Sequence, residues 1–471
     1  MTPQNELPTT YLVVGAGPFG LLTARGLLHQ GIDVEIVERH DDVGGIWDIG
    51  NPGSPMYDTC HFITSKTLGG YVDFPMPDDY PTYPSQRQVL DYVRAFARAY
   101  GLYERTRFGT EVVRAEPVGE GDDAYWRVET SDGEERLYRG VFAACGQQWW
   151  PYVPELPGAD EFLGEIYHSS QYHSPQQFAG KRVLVVGAGN SGVDIAVDAA
   201  EHGEASFIST RRDYYWFPKQ VYGVPTPDLM TGKAPFPQMP LLGRTPDPME
   251  TVALVLAAIG PMSAYGLPEP SDPVGSTHPI VSDLALHCFT HGTLQHRPGI
   301  ARITADAVEF VDGRSERVDV IVLATGYDMR YPWLPDGAVD YEEGHPVFHL
   351  GTFGRVRGLY GVGTIHPSRA DAWQIFDQLT HLAIADAKAT LTGENAENLR
   401  VLREEYEIDL KGGFPYLDVR RNVNQAADAP LRQLFDDLQH RFGIEMPTEL
   451  KGGFFPAGTE AAMTATAAVT A

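Results

Sequence analysis

The chain has 471 residues, 43% of them hydrophobic, and its 36 Lys and Arg against 63 Asp and Glu residues give a formal net charge of −27. Such a charge repels nucleic acid and anionic membrane surfaces, and this length can bury the cores of two or three domains. The longest apolar stretch, residues 251–259, is about half of a membrane span, and residues 1–10 lack the apolar core of a signal peptide. Three scattered cysteines are too few for a disulfide framework, so we expect a cytoplasmic protein without nucleic-acid or membrane partners.

A glycine-rich turn lies between an apolar run and a helical pattern near the start of the chain. Tyr11–Val14 predicts a buried strand, and apolar residues at helical spacing over residues 21–28 predict a helix. In the pattern GxGxxG the glycines permit a tight turn, close approach of a pyrophosphate and close packing of the helix. The turn consists of Gly15, Ala16, Gly17, Pro18, Phe19 and Gly20. A second strand, Val34–Val37, ends at Glu38, whose carboxylate suits a ribose hydroxyl and repels a 2′-phosphate. The unit therefore predicts an FAD or NAD site, and a turn that merely requires a positive φ is the alternative.

Two local patterns follow this unit. Ser85 and Gln88 form a capping box before an apolar face that predicts a helix over residues 86–100. Residues 126–130 and 135–138 flank Asp-Gly and predict a β-hairpin.

A second glycine-rich turn has the opposite charge at the end of its unit. Residues 183–186 predict the strand before it, and residues 206–209 predict the next strand. The turn contains Gly187, Gly189, Asn190, Ser191 and Gly192. Arg211 and Arg212 follow the second strand, where guanidinium groups favour a 2′-phosphate, so this unit predicts an NADPH site. Two solvated surface arginines are the alternative. Two dinucleotide sites in one chain indicate a flavin that is reduced by a nicotinamide.

The segment between the two units carries the most specific motif. Residues 162–172 match FxGxxxHxxxY, and residues 324–327 read ATGY. Both motifs resemble those of class B flavoprotein monooxygenases of the flavin-containing monooxygenase type. The related Baeyer-Villiger fingerprint ends in Trp where this chain has Tyr172. The resemblance gives His168 a role in positioning the domains.

The resemblance implies the cofactors FAD and NADPH and the substrates dioxygen and a small organic molecule. NADPH would reduce FAD, dioxygen would add to the reduced flavin, and a 4a-hydroperoxyflavin would oxygenate a nucleophilic nitrogen or sulfur. Besides the first turn and Glu38, it assigns to FAD the residues Arg39, Gly45, Ile46, Trp47, Thr64, Val112 and Gln378. Besides the second turn and the two arginines, it assigns to NADPH the residues Tyr172, Asp194 and Thr325.

One position departs from the family pattern. With Lys66 as the anchor, a flavin-facing asparagine of the family falls on Ile63, whose side chain has no hydrogen-bond donor or acceptor. His61, Thr64 or a backbone amide are possible substitutes, and His61 is equally well explained as a structural histidine. The candidate catalytic residues are therefore His61, Ile63 and Lys66.

Several functions remain compatible with the motifs. They are Baeyer-Villiger oxygenation of a ketone, which Tyr172 disfavours, an uncoupled NADPH oxidase, which Ile63 favours, and a flavin-bearing redox sensor or binding protein. The lack of a CxxC motif argues against disulfide reductases. No HExxH or EF-hand pattern occurs, so no metal is predicted.

The order of the motifs predicts an α/β protein with two Rossmann-like, three-layer domains, the NADPH domain being inserted into the FAD domain. We expect the first half of the FAD domain in residues 1–175 and its second half in residues 317–450. The NADPH domain is expected in residues 178–316, with an irregular insertion at about 213–290. Residues 451–471 are predicted to form a flexible tail, and a homodimer is possible. Trp216, Phe217 and Tyr222 are candidate walls of a substrate pocket, or they pack the insertion down.

Overall fold

A computed structural model of the chain describes residues 7–232, 246 and 248–446. Its core consists of two five-stranded sheets in which every pair of neighbouring strands is parallel. The first sheet has the order Leu359–Gly361, Val141–Ala143, Tyr11–Val14, Val34–Val37 and Thr106–Arg107. The second sheet has the order Leu294–Arg297, Ala205–Ser209, Arg182–Val186, Val320–Leu323 and Glu165–His168.

Each sheet is the middle layer of three. Helices pack on one face of the first sheet, and a three-stranded antiparallel sheet covers the other face through the buried ring of Trp126. The second sheet repeats this arrangement, with helices on one face and a second antiparallel sheet on the other. The predicted α/β fold with two three-layer units is therefore confirmed.

The remaining elements complete these layers. The α-helices are Pro18–His29, Gln86–Ala99, Asn190–His202, Thr226–Met230, Pro248–Ile259, Asp283–His291, Ala372–Thr392, Ala396–Glu404 and Asp428–His440. The two covering sheets are Val112–Val118 with Tyr125–Thr130 and Glu135–Tyr138, and Ile300–Ile303 with Ala307–Phe310 and Ser315–Arg317. The two-stranded pairs are Trp150–Pro151 with Tyr327–Asp328, Trp216–Phe217 with Ile280–Val281, Gln220–Val221 with Val224–Pro225, Asp340–Glu342 with His345–Val347, and His366–Pro367 with Gln425–Ala426. The capped helix lies where the local pattern predicts it, and Ser85 and Gln88 make both bonds of the capping box. The predicted hairpin is also present.

The boundaries between the two units differ from the expected ones. Glu165–His168 and Val320–Leu323 are neighbouring strands of the second sheet, although we assigned both to the FAD domain. The reason is the strand pairing. Val320 lies opposite Val183 on one side and opposite Glu165 on the other, so both strands belong to the sheet of the second unit. The chain crosses between the units where Trp150–Pro151 pairs with Tyr327–Asp328.

The predicted insertion is more regular than expected. Asp283–His291 packs on Asn190–His202 and belongs to the helical layer of the second unit. Trp216 and Phe217 are buried in apolar clusters and so help to pack the insertion down, which favours the second of the two predicted roles. Residues 233–245 and 247 of the insertion lie outside the described residues, as does the predicted tail at 451–471.

Candidate active site

The first glycine turn has the geometry of a dinucleotide cradle. Gly15 has a φ of +107°, and a Cβ on Gly20 would lie 1.9 Å from the carbonyl oxygen of Gly15, so both positions require glycine. Gly17 caps the helix Pro18–His29 without any side-chain hydrogen bond, which leaves amides at the helix N-terminus for a phosphate. The turn therefore fits the pyrophosphate of FAD.

Glu38 lies beside this turn, as its position at the end of a strand predicts. Its carboxylate accepts hydrogen bonds from the amides of Ala16 at 2.7 Å and His40 at 2.9 Å, and burial raises its pKa. The exposed guanidinium of Arg39 lies 4.3 Å from the ring centroid of Trp149. Trp149 is a residue that our sequence analysis missed, although the Trp pair at 149–150, shortly after the strand Val141–Ala143, was a visible signal.

The segment from Gly44 to Trp47 connects the first turn with the second unit. The amide of Gly44 donates to the carbonyl of Ala16 at 3.1 Å, and a Cβ on Gly45 would lie 3.0 Å from Cα of Gly17. Ile46 and Trp47 pack against the apolar core of the second unit. The structure thus places the predicted residues Gly45, Ile46 and Trp47 where the first turn meets the apolar cluster that includes the core of the second unit.

Two further predicted FAD residues occupy different environments. Val112 begins a strand of the covering sheet and is 4% exposed. Gln378 is half-buried on the helix Ala372–Thr392, which packs on the first turn through contacts of Phe376 with Phe19. Of these two residues, only Gln378 lies on an element whose side chains contact the first turn.

The three catalytic candidates lie on one loop but differ in what they contact. Nδ1 of the exposed His61 lies 2.8 Å from the carbonyl oxygen of Thr59, and Ile63 is 42% exposed. The ammonium of Lys66 donates to the carbonyl oxygens of Asp78 at 2.6 Å and Tyr80 at 2.7 Å. These bonds hold residues 77–80 in place and give Lys66 a structural role, and a catalytic role of Lys66 stays a prediction.

Thr64 offers an unused polar atom in the same loop. Its Oγ1 is buried and has no hydrogen-bond partner among the described residues. Buried hydroxyl groups are normally satisfied, so this atom is suited to a bound group such as FAD.

The second turn repeats the geometry of the first. Gly187 has a φ of +104°, and a Cβ on Gly192 would lie 2.3 Å from the carbonyl oxygen of Gly187. A Cβ on Gly189 would meet no atom within 4 Å, so open space lies before the helix Asn190–His202. The turn fits a second dinucleotide, and Asn190 and Ser191 lie at the start of its helix.

Arg211 and Arg212 follow the strand Ala205–Ser209, as predicted. Arg211 is exposed and Arg212 is half-buried. Neither guanidinium forms an ion pair with any residue that the structure describes. Both therefore remain available for a 2′-phosphate.

Three other predicted NADPH residues serve contacts within the protein. Tyr172 is fully buried and donates to Oδ2 of Asp198 at 2.7 Å, which leaves no ring surface for a dinucleotide and corrects our assignment. Asp194 accepts a hydrogen bond from Tyr57 at 3.0 Å. The hydroxyl of Thr325 donates to the carbonyl of Tyr152 at 2.5 Å and fastens the crossing segments.

His168 supports the same crossing. Its Nε2 lies 3.0 Å from the carbonyl oxygen of Gly326, and burial lowers its pKa. A neutral imidazole between a strand of the second sheet and the ATGY turn is consistent with a positioning residue.

Comparison with known proteins decides the family. The model of the flavin-binding monooxygenase-like family (FMO-like) matches residues 10–354. The chain belongs to this family.

Relatives in this family include proteins named as monooxygenases. The chain is 33% identical over 378 residues to indole-3-pyruvate monooxygenase YUCCA1 of Oryza sativa subsp. japonica, covering 77% of this chain and 89% of that protein. It is 30% identical over 343 residues to human flavin-containing monooxygenase 2, covering 70% of this chain and 64% of that protein. The chain is therefore a flavin monooxygenase, and FAD and NADPH are its cofactors.

Solved structures show the same fold. S-allyl-L-cysteine S-oxygenase from Allium sativum matches with a TM-score of 0.62 at 20% identity, covering 98% of this chain and 92% of that one. Cyclohexanone monooxygenase with bound ε-caprolactone matches with a TM-score of 0.64 at 18% identity, covering 93% and 98%.

A membrane-spanning helix and a cluster of metal ligands are both absent from the described residues. Over residues 7–232 and 248–446, no helix is both long and apolar enough to cross a membrane. The same part of the chain contains no group of three or more His, Cys, Asp or Glu side chains arranged to hold a metal ion.

Proposed function

We propose that this flavin monooxygenase transfers one oxygen atom of dioxygen to a nucleophilic nitrogen or sulfur of a small organic substrate. The observation that carries the proposal is the position of Gly45, Ile46 and Trp47. This segment contacts the first glycine turn and packs on the core of the unit that holds the second turn. Such a contact would bring two dinucleotides held at the turns towards one another.

The first unit would hold FAD through the turn, Glu38 and Thr64. The N-terminal amides of Pro18–His29 suit the pyrophosphate, the carboxylate of Glu38 suits the ribose hydroxyls, and the unused Oγ1 of Thr64 suits a polar atom of the ring system. When bound, the flavin accepts electrons from NADPH and passes them to dioxygen, so the protein itself requires no nucleophile.

The second unit would orient NADPH. Gly187, Gly189 and Gly192 leave space at the helix N-terminus, and Arg211 and Arg212 would bind the 2′-phosphate by charge-assisted hydrogen bonds. Asn190 begins the helix, so its side chain would help to orient the pyrophosphate. NADP⁺ retained in this position would exclude water from the flavin.

A second candidate reaction is oxygenation beside a carbonyl group. The identity of 33% with an indole-3-pyruvate monooxygenase favours it, because the named substrate of that relative is a 2-oxo acid. The two reactions use the same cofactors and differ in the atom that receives oxygen.

Product analysis of the purified holoenzyme tests the proposal. We expect NADPH oxidation to accelerate with amine, thioether or 2-oxo acid substrates, with one oxygenated product formed per NADPH. Oxygen from ¹⁸O₂ in an N-oxide or sulfoxide supports the first candidate, and oxygen in a product of C–C cleavage supports the second. Stoichiometric hydrogen peroxide with every substrate would establish an NADPH oxidase instead, and sluggish NADPH oxidation throughout would indicate a redox sensor.

A further inference from the structure

Three basic side chains from distant parts of the sequence meet between the two turns. His278, His366 and Arg421 form this basic cluster. Nδ1 of His366 lies 2.8 Å from the backbone carbonyl oxygen of Arg421, and burial, followed by the charge of Arg421, lowers the pKa of both histidines. None of the three pairs with a carboxylate among the described residues. In a chain with a net charge of −27, a basic cluster without an acidic partner is unexpected.

The cluster reaches the second turn through His278. Nε2 of His278 lies 3.4 Å from Nδ2 of Asn190, the first residue of the second glycine helix. One end of the cluster therefore lies at the helix N-terminus that would bind the nicotinamide dinucleotide.

The cluster reaches the first turn through His366. Nε2 of His366 lies 3.0 Å from Oε1 of Gln147, whose amide donates to the carbonyl of Gly363. A Cβ on Gly363 would lie 3.1 Å from the ring of Phe19 in the first turn. The basic cluster thus spans the gap between the two cofactor sites.

The backbone of Arg421 is fixed on both units. Nδ1 of His366 lies 2.8 Å from the carbonyl oxygen of Arg421, and His366–Pro367 pairs with Gln425–Ala426 in the first unit. Nδ2 of Asn422 donates to the carbonyl of Ser276 at 3.0 Å in the second unit. Arg421 is an exposed residue, and its guanidinium forms no hydrogen bond with the described residues.

The charge of the cluster is suited to one small anion. Burial lowers the pKa of His366 to about 4 and that of His278 well below its ordinary value, so both imidazoles are neutral at pH 7. Arg421 then supplies a single positive charge with a planar fork of donors, which matches a carboxylate in charge and shape. A pyrophosphate carries more charge and already has the amides of the second helix.

We propose that Arg421, flanked by His278 and His366, binds the carboxylate of the substrate and holds it between the flavin and the nicotinamide. The substrate class is then a small organic acid. This inference rests on the proposed function for its placement of the two cofactors.

Binding to the oxidised, FAD-loaded enzyme tests the subsite without turnover. The probes are phenylacetate, 3-phenylpropanoate and indole-3-acetate, each against its neutral amide, followed by the change in flavin absorbance. The variants are Arg421→Gln, Arg421→Lys and the surface control Arg432→Gln, whose guanidinium pairs with Asp428. Flavin content and melting temperature establish that each variant is folded, and the Kd of NADP⁺ is measured in parallel.

We expect at least one acid to bind more tightly than its amide. Its Kd should rise about tenfold or more in Arg421→Gln, recover in part in Arg421→Lys and stay unchanged in Arg432→Gln. The Kd of NADP⁺ should change little. Equal binding of acids and amides to the unchanged enzyme, or a loss in Arg421→Gln confined to NADP⁺, would overturn the proposal. Because no oxygen transfer is measured, failure of the proposed function would leave these Kd values unaffected.

Discussion

The hydroxyl of Tyr57 donates a hydrogen bond to Oδ2 of Asp194 over 3.0 Å. Tyr57 belongs to the chain of the first unit, and Asp194 lies on the helix that follows the second glycine turn. Thr59 makes a parallel link by donating to Oδ2 of Asp198 at 2.6 Å, one turn further along the same helix. The helix that would present NADPH is therefore fastened to the flavin side by its buried carboxylates.

Removing one of these fastenings should weaken NADPH binding more than FAD binding. Tyr57→Phe should destabilise the protein by about 1–2 kcal/mol, because Asp194 is left with fewer donors in a site where burial already raises its pKa. We expect a lower melting temperature, a higher KM for NADPH and an unchanged flavin content. The matched control is Tyr138→Phe, which removes a bond to Glu35 within the first unit. Equal effects of both variants on the KM for NADPH would contradict this role of Tyr57.

A methyl group at the second turn should block the cofactor without disturbing the fold. A Cβ on Gly189 meets no protein atom within 4 Å and its φ is −73°, so Gly189→Ala should fold normally. The methyl group would occupy the space for the pyrophosphate and should raise the KM for NADPH about tenfold or more. Gly17→Ala is the counterpart at the first turn and should lower the flavin-to-protein ratio instead. An unchanged KM for NADPH in Gly189→Ala would contradict the proposal that the second glycine turn binds the pyrophosphate of NADPH.

The two arginines should distinguish NADPH from NADH. Arg211→Ala combined with Arg212→Ala should raise the KM for NADPH about tenfold or more and leave that for NADH nearly unchanged, because only NADPH carries a 2′-phosphate. Arg302→Ala, which removes a surface pair with Glu161 on the second unit, controls for the loss of charge. Equal losses for both coenzymes would show that the arginines do not contact the phosphate.

Ile63 should determine how much of the dioxygen consumed is released as hydrogen peroxide. Its side chain is 42% exposed, so Ile63→Asn should change stability by no more than about 0.5 kcal/mol. The new amide supplies the donor and acceptor that the family places here, and we expect a smaller share of the NADPH electrons to appear as hydrogen peroxide. Ile63→Val keeps the position apolar and should leave the peroxide yield as it is. An unchanged yield in Ile63→Asn would mean that residue 63 does not face the flavin.

The low pKa of His366 should make stability fall as the pH falls. The imidazole has a pKa of about 4 in the folded protein and about 6.5 when unfolded, so between these values only the unfolded chain binds the proton. The contribution of His366 to the free energy of unfolding is therefore present above pH 6.5. Lowering the pH from 7 to 5 should reduce the free energy of unfolding by up to about 2 kcal/mol. Denaturant unfolding at both pH values should show a smaller loss in His366→Asn, and His173→Asn serves as an exposed control. An equal loss in His366→Asn would exclude this histidine as the cause.

Sequence alone determined the features that depend on neighbours in the chain. Both glycine turns, the strand that ends at Glu38 and the helix capped by Ser85 could be predicted because positive φ, helix capping and apolar periodicity are local properties.

Tertiary structure decided what depends on contacts between distant segments. The register that joins Glu165–His168 to Val320–Leu323 moved both strands into the second unit, and burial gave Tyr172 a partner in Asp198. Lys66 became a loop fastener because carbonyls more than ten residues away converge on it. Arg421 carried no signal in the sequence, since its place beside His278 and His366 arises only when three remote segments pack together.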